Sequence, residues 1–180
     1  HFISGWLPWF ADAAHLLFAI AAILWSILLM FKWVEFPPTV FLVPTLSVFV
    51  FKVAAGFVLY RVRVQCGWKD RIGAALAGMA LTHAVGRAVW QGMFTSGKPF
   101  FRTPKCEDKP AAIQGLLMAR EEIGLLIGLL ACSLSVLFYY EAANQSAALW
   151  SGMLLVQILP YWSALYVSMT NALPSKKITS

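Results

Sequence analysis

The residues with the clearest chemical potential stand together in a short basic segment, residues 97–105. The segment reads Gly97-Lys98-Pro99-Phe100-Phe101-Arg102-Thr103-Pro104-Lys105. Its glycine and prolines predict a non-helical loop, which we extend over residues 95–112. Three cations and one hydroxyl can bind phosphate through charge-assisted hydrogen bonds. On composition alone, a basic loop held against the membrane by anionic lipid headgroups is the other interpretation, and both stay open.

Three further ionisable residues stand inside apolar runs. Asp12 and His15 are three residues apart near the start of the first run. Ionisable side chains at membrane depth are candidate functional residues, although an aspartate at a helix N-terminus is also an ordinary cap. Lys52 lies eight residues before Tyr60, which is about 12 Å along a helix. Its stem either reaches the interface or lines a polar channel.

A polar stripe is predicted on a helix over residues 72–94. His83, Arg87 and Gln91 follow one another at intervals of four residues, so they share one helix face. We interpret this helix as amphipathic and lying in the membrane interface, with the stripe as a possible channel or interface surface. The simpler explanation of the stripe is a solvated face, and a helix of this length can also span.

Motifs of a complete catalytic apparatus are not found in the sequence. It has no nucleophile elbow, no P-loop and no zinc-ligand spacing. The adjacent Glu121 and Glu122 would point about 100° apart on a helix, so we expect them to be poorly placed to act jointly. We therefore predict no catalytic residue, metal ligand or bound cofactor within these residues.

The composition predicts which elements carry these residues. Apolar residues make up 60% of the chain and charged residues 12%, and the mean hydropathy is +0.72. A soluble domain carries about 25% charged residues, so lipid is the expected surroundings. Backbone amides in hydrocarbon must be bonded within their own segment, which selects helices. At 180 residues we predict one transmembrane region over residues 1–180.

Four segments are long enough to cross a bilayer as helices, which requires about 20 apolar residues. They are residues 11–31, 39–60, 123–140 and 147–169. Four tryptophans fall near the predicted ends, where indole rings favour the headgroup layer: Trp6, Trp9, Trp33 and Trp150. On the third span, small residues favour close helix packing: Gly124, Gly128, Ser133 and Ser135.

The basic residues predict the orientation. Residues 61–122 hold 10 of the 14 lysines and arginines, and Lys176 and Lys177 follow the last span. With four spans, the long loop and the C-terminus lie on one face, which positive-inside bias makes cytoplasmic. The net charge of +6 is expected to favour binding to anionic lipid or to a phosphorylated substrate. We expect no nucleic-acid partner because no recognisable motif for one is present.

The basic loop resembles a known family. Residues 99–105 are similar to the Phe-x-Val-Thr-x-Lys gating-loop motif of processive family 2 glycosyltransferases of the cellulose synthase type. They are more similar to the Pro-Phe-x-Arg-Thr-Pro-Lys run of cellulose-synthase-like glucan synthases. Residues 1–9 resemble the segment downstream of that group's Gln-x-x-Arg-Trp motif. The order of two spans, an interfacial helix, the loop and two spans also fits.

The resemblance implies a substrate-binding role for the loop, which closes over a nucleotide-sugar in that family. Phe100, Arg102, Thr103 and Lys105 would be the binding residues, with Thr103 and Lys105 near the diphosphate. Arg102 stands where the cellulose synthase motif has valine. The catalytic aspartates would lie before His1, so a catalytic domain is expected upstream in the same chain. Nucleotide-sugar and a divalent metal would belong to the full-length enzyme.

The leading hypothesis is therefore the membrane-channel part of a glycosyltransferase that polymerises sugar and helps to translocate the glycan. The expected partners are the bilayer, the upstream catalytic domain, the nucleotide-sugar and the growing glycan, and the expected location is a bacterial inner membrane. The alternative is a non-catalytic membrane transporter subunit or scaffold, in which His15, Lys52 and the polar stripe would line a pathway.

Overall fold

The computed structural model describes residues 2–64, 66–95, 115–117, 119–141 and 144–172. This part of the chain is almost wholly helical, and no strand occurs within it. Its six long helices are α1 (Phe2–Met30), α2 (Thr39–Arg63), α3 (Trp68–Ala80), α4 (Thr82–Phe94), α5 (Arg120–Tyr140) and α6 (Gln145–Ala172). The predicted all-α class is confirmed.

Four helical stretches among the described residues are long and apolar enough to cross a membrane: Trp9–Met30, Trp68–Phe94, Arg120–Tyr140 and Gln145–Thr170. Three of them coincide with predicted spans in α1, α5 and α6. The remaining predicted span, residues 39–60, lies within α2, whose 25 residues reach about 37 Å. That length exceeds a hydrocarbon core of about 30 Å. The protein is therefore an all-α membrane protein.

The predicted helix over residues 72–94 is two helices instead of one. α3 ends at Ala80 and α4 begins at Thr82. Between them Leu81 keeps helical dihedral angles, but its N–H points to the carbonyl of Met79 instead of one four residues back. No proline or glycine stands at this position, so the break is set by what the two helices pack against. α3 packs mainly on α6, and α4 mainly on α1.

Side-chain contacts give the directions of the helices. The Tyr140 hydroxyl at the end of α5 donates to the carbonyl of Leu29 near the end of α1, at 2.7 Å. Midway along α1, the ring of His15 lies 5.9 Å from that of Tyr161, just past the middle of α6. α1 and α5 therefore run parallel, and α6 runs antiparallel to both. α3 and α4 lie at the end of the bundle where α1 and α5 begin, which we call the α4 end.

The buried centre of the bundle lies between α1, α5 and α6. Large side chains that are almost fully buried there include Leu29, Leu129, Met153 and Leu154. The outward faces remain apolar, as Phe138 illustrates with 86% of its side chain exposed. A helix bundle in lipid is apolar both on its outer surface and in its interior.

Small residues on α5 allow close packing at two of the predicted positions. A side chain added at Gly128 would meet Ile23 of α1 at 3.2 Å, whereas Gly124 faces open space. The hydroxyl oxygens of Ser133 and Ser151 lie 2.5 Å apart between α5 and α6. Two neighbouring helices therefore approach α5 closely along its length.

The prediction for Trp150 is wrong. Its side chain is 4% exposed, and its indole N–H donates to the Ser26 hydroxyl at 2.9 Å. The ring joins α6 to α1 in the interior of the bundle instead of standing in the headgroup layer. Trp9 and Trp33 are exposed, 52% and 76% respectively, as interfacial anchors require.

Candidate functional site

A charged cluster joins the two helices that border the predicted basic loop. α4 ends at Phe94, before the loop, and α5 begins at Arg120, after it. Four side chains connect them, and we call them the stem cluster: His83, Arg87, Glu121 and Glu122. The cluster links α4 to α5 at the α4 end.

The stem cluster is centred on the carboxylate of Glu121. One Oε of Glu121 lies 2.5 Å from a terminal nitrogen of Arg87 and 3.4 Å from Nε2 of His83. Glu122 approaches the same His83 nitrogen at 4.0 Å. His83 is 6% exposed. The two glutamates point apart along α5, as expected for adjacent helical residues, yet both carboxylates approach one residue of another helix.

The predicted polar stripe is divided by this arrangement. His83 turns inward and Arg87 bridges to α5, while Gln91 is exposed one turn further on. The described residues give Gln91 no side-chain contact with the stem cluster. Its main-chain carbonyl instead accepts hydrogen bonds from the N–H and hydroxyl of Thr95, the residue that caps α4 after Phe94. The stripe is therefore a helix–helix junction over two of its three positions.

The Arg87–Glu121 ion pair is expected to contribute little to stability, because Arg87 is 50% and Glu121 36% exposed. A double-mutant cycle with Arg87→Gln and Glu121→Gln should give a coupling energy of about 1 kcal/mol or less. The measurement is the free energy of unfolding of the purified protein in micelles, at low and at high salt. Glu141→Gln in place of Glu121→Gln is the control. A coupling energy that does not fall with salt would contradict the solvent-exposed character assigned to this pair.

Three rings meet beside the stem cluster in the interior. The Tyr161 ring of α6 lies 5.9 Å from the ring of His15 in α1 and 5.9 Å from that of His83 in α4. Tyr161 is 1% exposed, and its hydroxyl has no hydrogen-bond partner among the described residues. Titratable side chains thus extend from Glu121 at the α4 end toward the interior of the bundle.

A cavity of about 650 Å³ opens between α1, α2, α3 and α6. Apolar side chains form most of its wall. The polar residues on it are Asp12, His15, Arg71, Thr82 and Gln157. Among these, Gln157 is 4% exposed, and neither its amide nitrogen nor its amide oxygen has a partner among the described residues.

Gln157 was not predicted to be a site residue, although its isolation among apolar residues indicates one. It is the one strongly polar side chain between Ser151 and Pro160, three residues before that proline. A polar residue in a spanning helix generally faces the bundle interior and marks a functional site. The spacing to Pro160 strengthens the signal, because proline leaves the carbonyl four residues earlier without its helical donor.

The other predicted site residues lie outside the part of the chain that the structure describes. These are the loop residues Phe100, Arg102, Thr103 and Lys105. Lys52 lies in α2, but its side chain is also outside the described part. Within the described residues, no group of three His, Cys, Asp or Glu side chains is arranged to hold a metal ion.

The stem cluster and the cavity are thus the two assemblies of polar side chains on which a function can be built. Comparison with known proteins does not extend this description. No family model matches the chain, and neither a curated protein nor a solved structure matches it at a significant level.

Proposed function

We propose that these helices are the membrane-channel part of a processive family 2 glycosyltransferase, which polymerises sugar from a nucleotide-sugar and helps the glycan across the membrane. The observation that carries the proposal is the Pro-Phe-Phe-Arg-Thr-Pro-Lys run at residues 99–105. The run stands between α4 and α5 in the sequence. The apolar helices α1 and α2 precede α3 and α4, and α5 and α6 follow the run. The full-length enzyme would supply the catalytic domain and bind the divalent metal.

The stem cluster supports this proposal because it links the helix before the loop to the helix after it. Arg87 and His83 of α4 contact Glu121 in the first turn of α5. In the proposal, the loop between these linked helices closes over the ligand. Closure of such a loop positions charge against its ligand and excludes water.

In this proposal α3 and α4 lie in the cytoplasmic interface instead of crossing the bilayer. The contacts of α4 favour this arrangement. Gly86 lies against the backbone of Asp12 and Ala13, and the indole N–H of Trp90 donates to the carbonyl of Ala13 at 2.9 Å. Two residues one turn apart on α4 thus contact a single level of α1, as in a crossing instead of a side-by-side span. The abundance of basic residues at this end favours the cytoplasmic side.

The chemical role of the loop is electrostatic. Lys105 and Thr103 would approach the diphosphate of the donor, where an ammonium and a hydroxyl offset the negative charge that grows on the leaving group. Arg102 adds a guanidinium with a fixed fork of donors, suited to phosphate oxygens. None of these residues forms or breaks a bond, so no catalytic residue is assigned to this part of the chain.

The test is Lys105→Ala in the full-length enzyme. We expect kcat/KM for the nucleotide-sugar to fall about a hundredfold, as when one preorganised donor to a developing anion is lost. Lys109→Ala is the matched control, because it removes the same charge from the same loop outside the phosphate-binding segment. Steady-state polymer synthesis and donor binding are the measurements. Equal effects of the two substitutions, or no effect of Lys105→Ala, would remove the gating role.

A second candidate is a membrane transport module, which the His15–Tyr161–His83 arrangement favours. Buried chains of titratable side chains are typical of proton relays in transporters. Membrane vesicles containing the full-length protein separate the two candidates. Polymer formation that depends on nucleotide-sugar supports the transferase, whereas proton flux without polymer formation supports transport.

A further inference from the structure

The cavity between α1, α2, α3 and α6 has the size of a ligand site. Its volume of about 650 Å³ falls within the range of about 300–1,000 Å³ typical of small-molecule sites. α2 contributes an apolar wall over Leu46 to Tyr60, 14 residues apart and so about 21 Å along the helix. The cavity is therefore elongated in the direction of the spanning helices.

One side of the cavity is bounded by two helices that scarcely meet. α2 packs against α3 and α6, while α1 packs against α4, α5 and α6. Within the described part of the chain, α1 and α2 form no extended contact with each other. A lipid chain would enter the cavity on this side.

Gln157 gives this apolar cavity a hydrogen-bonding position. Its amide is buried and its two polar atoms lack partners. Val156 and Pro160 line the same cavity, and Pro160 leaves the Val156 carbonyl without its helical N–H. Buried polar groups are normally hydrogen-bonded. The position therefore suits a bound water within an otherwise apolar space.

A basic corner stands at one end of the cavity, where α2 passes into α3. Tyr60 and Arg71 line the cavity there. The last turn of α2 and the first turn of α3 add three further cations, Arg61, Arg63 and Lys69. The Nη2 of Arg71 donates to the carbonyl of Cys66 at 3.1 Å, and its Nε has no partner within the described residues.

Acidic side chains only partly offset this corner. Asp70 accepts from the N–H of Gly67 at 3.2 Å as a helix cap, and Asp12 lies on the α1 wall of the cavity. Four cations against two carboxylates leave the corner positive, which suits an anionic headgroup.

Gln157 lies deep in the bundle. It stands near the middle of the apolar stretch Gln145–Thr170 of α6, four residues, or about 6 Å, before Tyr161 along that helix. Gln157 is therefore below the headgroup level, beside the path of an acyl chain.

We propose that this cavity binds one acyl chain of an anionic glycerophospholipid, with its phosphate at the basic corner. Gln157 lies deeper, beside the chain, where a bound water can pair with its amide. The apolar wall of α2 encloses the chain. This lipid site does not depend on the transferase assignment.

The test is native mass spectrometry of the purified protein with an equimolar mixture of dioleoylphosphatidylglycerol and dioleoylphosphatidylcholine. The wild-type protein should retain one phosphatidylglycerol preferentially. Val53 lines the cavity, so Val53→Trp should obstruct it midway along the α2 wall and strongly reduce retention. Val50 is 63% exposed on the same helix, and Val50→Trp should leave retention unchanged.

A second pair of variants tests the headgroup. Arg71→Gln should reduce the preference for phosphatidylglycerol about fivefold, as expected for one cation at an anionic surface. Arg120→Gln removes a charge at the same end of the bundle, away from the cavity, and should change the preference less than twofold. This pair decides the question if Val53→Trp does not fold. Equal retention of the two lipids, or equal effects within either pair, would overturn the proposal.

Discussion

Gly86→Ala is expected to lower the free energy of unfolding by about 2–4 kcal/mol. A Cβ at this position would lie 2.6 Å from the carbonyl oxygen of Asp12, and a backbone atom cannot move aside as a side chain can. α4 must therefore shift away from α1. One turn later, the hydrogen bond from Trp90 to Ala13 would be lost in the same movement.

Gly92→Ala is the matched control for this prediction. Gly92 lies on the same helix, and an added Cβ meets nothing within 4 Å. Alanine is a better helix former than glycine, so this substitution should stabilise the protein by up to about 1 kcal/mol. Denaturant unfolding of both variants in micelles, followed by circular dichroism, gives the two values. If both variants were stabilised, the close crossing of α4 over α1 would be wrong.

The spanning helices could be predicted from the sequence because each is a long apolar run with few charges. Their surroundings make this pattern reliable, since a backbone in hydrocarbon has no alternative to a helix. The break at Leu81 could not be predicted in the same way. No helix-breaking residue stands there, and the division follows from packing on different partners, α6 for α3 and α1 for α4.

The polar residues of the candidate sites were predicted less completely than the helices. His83 and Arg87 were singled out by their spacing, but spacing on one helix does not reveal that Glu121 of another helix meets them. Gln157 has no polar neighbour in sequence, so its signal is a single polar side chain within an apolar run, three residues before Pro160. Its importance comes from a cavity that four helices enclose, and such a cavity is a property of packing alone.

Trp150→Ala is expected to be the most destabilising single truncation on α6, at about 3 kcal/mol. The ring is 4% exposed, so its removal leaves a cavity next to α1. Tryptophan-to-alanine changes in water-soluble cores cost about 3–5 kcal/mol. A value at the lower end is expected here, because the unfolded helix remains in lipid and the transfer of the ring from water contributes little. Trp33→Ala, at a 76% exposed ring, should cost less than about 1 kcal/mol.

Two milder variants separate the packing of the ring from its hydrogen bond. The Ser26 hydroxyl accepts from the indole N–H of Trp150 at 2.9 Å and donates to the carbonyl of Ala22 at 2.7 Å. Ser26→Ala leaves the buried N–H without its acceptor, for which we expect about 1–2 kcal/mol. Ser47 makes the same backbone bond four residues back, but it is exposed, so Ser47→Ala should be close to neutral.

The decisive comparison is Ser26→Ala in a Trp150→Phe background. Phenylalanine keeps an aromatic ring and removes the donor, so the loss of the serine hydroxyl should then cost much less than in the wild type. The same unfolding titration measures all four proteins of this cycle. If Ser26→Ala cost the same in both backgrounds, the indole would not be bonded to Ser26, and the contact between α1 and α6 would rest on packing alone.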